Sequence, residues 1–197
     1  MITLALCLAC TGVQRPAALD DPQYPRPVAM GAVQWDAAGI FATYRSFIRQ
    51  EDKSISASAE KLHGLSDRIA RSRGLPERTA ISWLTNSLKT SSHLIGWDLD
   101  FDLDVIRAAL IRHGADPAKL IRPQLRTTSL AGICATIVGS QDANGEAIAP
   151  SIAEAVKVIV PDAGIEPGNL HTQANACRLI FEALCAENII ADMEQAA

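Results

Sequence analysis

Four aspartates alternate with apolar residues in Trp97-Asp98-Leu99-Asp100-Phe101-Asp102-Leu103-Asp104, and clustered carboxylates are what divalent-cation chemistry uses. On a strand they would form one acidic face. At a helix start they spread around the axis, one of them serving as N-cap. On a helix, Asp102 is equally well explained as a carboxylate stabilised by the dipole. Cys7 and Cys10 form a second chemistry-bearing pair on an apolar run. Without a matching Cys or His pair at zinc spacing, they read as core residues as readily as ligands. Trp97 offers an indole that either stacks on a nucleobase or fills space. Arg68, Arg71, Arg73 and Arg78 lie close together, as a solvated face or a local basic patch.

Bulk properties bound what these residues serve. A chain of 197 residues with 48% hydrophobic content is long enough for a single domain, 1–197, with a substantial core. The formal charge of -4 gives no chain-wide basic footprint for tight, unassisted nucleic-acid binding. The five cysteines are an odd number without a paired framework, which points to a reducing, cytoplasmic setting. The apolar start, Met1 to Cys10, lacks a basic n-region, and its run of about nine residues is short for a leader. It is expected to be a buried first strand. No other segment approaches a membrane span.

The elements that must hold these residues follow from periodicity. Residues 2–10 are continuously apolar, as in a strand covered on both faces. Pro16, Pro22, Pro25 and Pro27 keep the next loop extended. Residues 28–35 and 40–48 read as strands joined by the turn Asp36-Ala37-Ala38-Gly39. Helices are expected at 56–62 with Gly64 as C-cap, and at 77–89 with Pro76 at the first helical position. Others are expected at 101–113, 128–138, 151–159 and 172–187, with a short buried strand at 93–97. Trp35 and Trp83 are assigned to packing. The pattern predicts an α/β domain with a mixed sheet flanked by helices.

Five segments, in order, carry a family resemblance. They are Cys7-Leu8-Ala9-Cys10-Thr11-Gly12; Met30-Gly31-Ala32-Val33; Leu62-His63-Gly64-Leu65-Ser66; Ile95 to Asp102; and Gly168-Asn169-Leu170-His171 to Ala176. Over residues 4–187 the chain resembles the DnaQ-like (DEDDh) 3′–5′ exonucleases, which implies a ribonuclease H-like fold. In that family an Asp-x-Glu-Thr-x-Gly strand end, a later Asp, and a His followed five residues on by Asp build a two-metal site. The resemblance makes His171 the general base and Asp102 a metal ligand, and puts His63 and Trp97 beside nucleic acid. It also places Cys7, Ala9 and Ala176 where the other three carboxylates belong.

One carboxylate cannot serve two hard cations, and thiols prefer softer metals. The resemblance therefore implies a degenerate exonuclease-fold protein without a cofactor, acting as a binding or accessory subunit. Its partners would be another protein, a single-stranded nucleic acid, or both, and family members are often homodimers. The alternative is an active exonuclease on single-stranded DNA or RNA, with Mg²⁺ or Mn²⁺ held by compensating acids: Asp98, Asp100, Asp104, Asp20 or Asp21. A transition-metal site from Cys7, Asp102 and His171, with Cys177 adjacent, is a further option, as is a scaffold without nucleic-acid contact. His171 also has a plain reading, a histidine kept for packing or hydrogen bonding.

Overall fold

The apolar opening forms β1 (Thr3–Cys10), buried along almost its whole length in the computed structural model. Its alternation feeds two cores. Ala5, Cys7 and Ala9 pack on one side of the sheet, Leu4 and Leu6 on the other. The structure describes residues 1–139, 141–142, 144–166 and 169–190. Gly168 of the C-terminal motif and parts of the stretch 139–150 lie outside the described residues.

β2 (Pro27–Asp36) and β3 (Gly39–Arg49) form a hairpin. The Asp36 carboxylate accepts the Ala38 N–H at 2.8 Å, and Gly39 takes φ 119°, a region closed to most side chains. β1 pairs antiparallel with β2 and parallel with β5 (His93–Gly96). Two short strands complete the sheet, β4 (Leu75–Pro76) beside β3 and β6 (Arg126–Ser129) beside β5, in the order β4-β3-β2-β1-β5-β6.

Helices cover both faces. On one lie α1 (Ala57–His63), α2 (Asp67–Arg73), α5 (Leu130–Val138), α6 (Ile152–Ile159) and α7 (Leu170–Ala186). On the other lie α3 (Glu77–Thr90) and α4 (Leu99–Arg112). Local signals set their ends. Ser56 caps α1 and Gly64, at φ 72°, closes it. Ser151 and Glu154 form a capping box on α6. Trp83 stacks on Tyr44 at 4.0 Å, and Trp35 meets Phe181 edge-on, so both indoles pack as expected.

The structure departs from the sequence reading at short polar elements. α2, β4 and β6 were not expected. Pro76 caps α3 from an extended conformation, rather than forming its first helical residue. Gly31 has a reason of its own: a Cβ there would collide with the Leu170 carbonyl and the His171 amide, so only glycine lets the start of α7 rest on β2. Among the described residues no helix is long and apolar enough to cross a membrane.

Candidate functional site

The second half of β1 opens onto a cleft of about 580 Å³. Strand alternation puts Cys7 and Ala9 together on its floor. The start of α4 brings Trp97, Asp98, Phe101 and Asp102 to one wall, because the last three recur at helical spacing. α1 supplies Leu62 and His63, and α7 supplies Leu170 and Gln173.

Asp98 is the N-cap of α4; it accepts the Phe101 N–H at 3.4 Å and pairs with Arg15 at 3.3 Å. The Arg15 guanidinium also lies 5.4 Å from the centre of the Phe101 ring. Asp102 is buried, 7% exposed, one turn further along. Burial, and then the Asp98 charge, push its carboxyl well above the usual range; the Leu8 backbone amide and Arg15 pull the other way. Of the acids proposed to compensate, Asp98 lines the cleft. Asp100, Asp104, Asp20 and Asp21 do not; Asp104 binds Arg107 at 2.9 Å, and Asp21 turns back to the Gln23 amide at 2.6 Å.

Beneath the floor, the Cys7 and Cys177 sulfurs lie 3.8 Å apart and both residues are buried. The contact with Cys177, then burial, raise the Cys7 thiol well above its ordinary pKa, and burial does the same to Cys10. Burial and Cys177 push Cys134 up to about 12. These groups stay neutral thiols at physiological pH. The resemblance marks Ala176 as the last carboxylate position, and Ala176 is 1% exposed within the apolar core. The residue that meets Cys7 is its neighbour, Cys177.

His63 is buried at the cleft wall with both ring nitrogens committed. Nδ1 accepts the Leu65 N–H at 3.1 Å, leaving Nε2–H to donate to the Cys10 carbonyl at 3.0 Å. Burial lowers its pKa. The ring therefore ties the end of α1 to the end of β1. Trp97 lines the cleft half-buried, its carbonyl accepting the Ser129 hydroxyl at 2.9 Å and the Ala131 amide at 3.0 Å. His171 stands in the first turn of α7 and does not line the cleft; its Nδ1 is buried without a hydrogen-bond partner among the described residues. Cys7, Ala9 and Asp102 are thus brought together on the cleft, and the His171 backbone amide packs against Gly31, the strand partner of Cys7.

Sequence reasoning missed Arg15 and Gln173. Arg15 lies in a proline-rich loop whose composition carries no positional signal. Gln173 falls three residues after Leu170 and four before Cys177, on one face of α7, and that spacing was readable. Two hard divalent cations do not fit the donors present, which are two carboxylates, one of them capping a helix, with thiols and a methyl group between them. Among the described residues, no three His, Cys, Asp or Glu side chains are grouped to hold a metal ion.

No protein-family model and no curated protein matches the sequence. Solved structures do. Escherichia coli exonuclease I in complex with an oligonucleotide superposes with a TM-score of 0.71 at 17% identity, over 93% of this chain and 40% of that one. A moderately thermophilic exonuclease I from Methylocaldum szegediense gives 0.69 at 16% identity, over 92% and 40%. A zinc-bound complex of the E. coli enzyme with single-stranded DNA gives 0.68 at 16%, over 93% and 40%. The chain spans about 40% of the length of these enzymes. A six-stranded mixed sheet flanked by helices, superposing over nearly the whole of this chain, gives it the ribonuclease H-like α/β fold of these exonuclease I structures.

Proposed function

We propose that this chain is a non-cleaving exonuclease-fold module that works by binding, with neither Mg²⁺ nor Mn²⁺ as cofactor. The carrying observation is the donor set of the cleft: Cys7 and Ala9 on its floor, Cys177 beneath, and Asp102 buried in apolar surroundings. Two-metal phosphodiester hydrolysis needs several ionised carboxylates around the reacting phosphate, and this floor is neutral and partly apolar. His171 would serve as a base only for a water already held by metal. The second carboxylate of the cleft, Asp98, is occupied as a helix cap and by Arg15, which argues against compensation.

The partners on this reading are single-stranded nucleic acid, a protein, or both. The neighbours solved with oligonucleotides support the first. An apolar lip, Leu62 and Val13 at 76% and 51% exposure, supports the second. The buried thiols Cys7, Cys10, Cys134 and Cys177 suit a reducing compartment such as the cytoplasm. The test is incubation with end-labelled single-stranded DNA and RNA in Mg²⁺ or Mn²⁺. Both substrates should stay full length. Stepwise loss of 3′ nucleotides that disappears in Asp102→Ala would overturn the proposal.

A further inference from the structure

We propose that single-stranded nucleic acid is held by its phosphates on an arginine corner built from α2, β4 and the start of α3, rather than by the cleft floor. The inference deepens the binding reading above, and concerns where the strand is held rather than whether it is cut.

Residues 61–78 hold Lys61, Arg68, Arg71, Arg73 and Arg78 against two acids, in a chain whose net charge is -4. Both acids are occupied by the fold. Asp67 accepts the Ile55 amide at 2.9 Å, and Glu77, 9% exposed, carries Arg112 at 2.7 Å and His113 at 3.0 Å. The five cations are exposed, and none of them makes an ion pair among the described residues. The fold sets the arginines around one edge of the sheet, α2 on one face and α3 on the other. β4 pairs with the end of β3, Arg49 opposite Pro76, and Gly74 lies too close to the Ile48–Arg49 backbone to admit a Cβ. Arg73 and Arg78 therefore flank a tight corner, with Arg68 and Arg71 three apart on α2.

Helix electrostatics explain only part of this set. Arg71 and Arg73 sit in the last turn of α2, where cations offset the macrodipole. Arg78 opens α3, where a cation is disfavoured, and the first-turn acids beside these arginines, Asp67 and Glu77, are engaged by the Ile55 amide and by Arg112 and His113. Phosphate oxygens suit the planar guanidinium forks left over. The cleft contrasts with this corner. Arg15 is the cation of its lining, already paired with Asp98, and Asp102 lies beside them. Three strand spacings, ~14 Å, separate the corner's edge of the sheet from β1, close enough for one nucleic-acid strand to touch both.

The experiment is fluorescence anisotropy with a labelled oligothymidylate. Binding should weaken about 20-fold from 50 to 150 mM salt if four phosphates are neutralised. Replacing Arg68, Arg71, Arg73 and Arg78 together by Glu should abolish it. The milder pair Arg68→Gln and Arg78→Gln should cost several-fold and flatten the salt dependence. Lys119→Glu with Lys157→Glu, outside the corner, should bind within about twofold of the parent. Parent-like binding by the four-Glu variant or by the Gln pair would overturn the proposal. Equal loss in the Lys119 and Lys157 control would do the same, as would capture of polyglutamate instead of the oligonucleotide, which marks an acidic protein partner. Shortening of the oligonucleotide, read on a gel from the same samples, sinks the non-cleaving reading and leaves the location of binding standing.

Discussion

Cys177 and Ala176 are neighbours in sequence, but an α-helix turns about 100° between them, and only Cys177 reaches the Cys7 sulfur. Motif spacing carried the sequence reading to α7 without settling its rotation. The family resemblance singled out Cys7, Ala9 and Asp102, and the strand's period of two and an acid run at a helix start are consistent with their sharing one cleft. Restoring acids tests the rotation. Cys7→Asp, Ala9→Glu and Cys177→Asp together should take up Mn²⁺ in calorimetry. The version with Ala176→Asp in place of Cys177→Asp should not, and should unfold more easily, because it buries an unpaired charge. Uptake by the Ala176 version alone would show that α7 is rotated from the position described. Asp102 supplies a pH test. Its folded pKa is raised, so the native state keeps a proton that the unfolded chain releases near pH ~3.9. Stability from this group is thus highest below that pH and falls as pH rises toward the folded pKa. Asp102→Asn should reduce the loss of urea midpoint between about pH 4 and pH 8, and raise the midpoint at the alkaline end. An unchanged slope would mean that Asp102 ionises freely.

α7 depends on Gly31 for its seat on β2, and this element-scale contact predicts a large effect from a small change. Gly31→Ala should cost ~3 kcal/mol or more in urea unfolding, because the methyl group meets backbone that cannot move aside as a side chain would. A loss under ~1 kcal/mol would mean α7 is free to shift. The long elements were legible in the sequence because burial leaves a pattern: β1 and β2, covered on both faces, are continuous apolar runs, and α4 repeats its apolar residues at helical spacing. β6, with the sequence Arg-Thr-Thr-Ser, and the two-residue β4 carry almost no apolar signal and exist because neighbouring strands offer a register. α2 was hidden by its charge. Ala70 is its one buried residue, so seven positions show no readable stripe.

For the molecule as a whole, Cys7, Ala9, Ala176 and Cys177 pack in an apolar core, and on the proposed reading they stand in place of a carboxylate cluster that would repel itself without metal. Stability should therefore be indifferent to divalent ions. Scanning calorimetry in EDTA and in millimolar Mg²⁺ should give the same Tm within about a degree. A site filled at ~100-fold above its Kd would add about 2.7 kcal/mol and move Tm by several degrees. Such a shift, lost in Asp102→Ala, would reveal a working metal site. The order of strands in the sheet also bears on how the chain reaches this state. β2 and β3 meet through a two-residue turn, whereas β1 pairs with β5 some ninety residues away, Thr3 opposite His93, and the Cys7–Cys177 contact closes a loop of 170. Loop-closure entropy delays distant contacts, so the hairpin is expected to form early and α7 to dock late. In pulsed hydrogen exchange during refolding, amides of β2 and β3 should gain protection before those of α7; simultaneous protection would count against a late-docking helix. Because Leu170 and Gln173 come from α7, the cleft is then incomplete until α7 docks, and a nascent chain lacks this wall until residues 170–186 have been made.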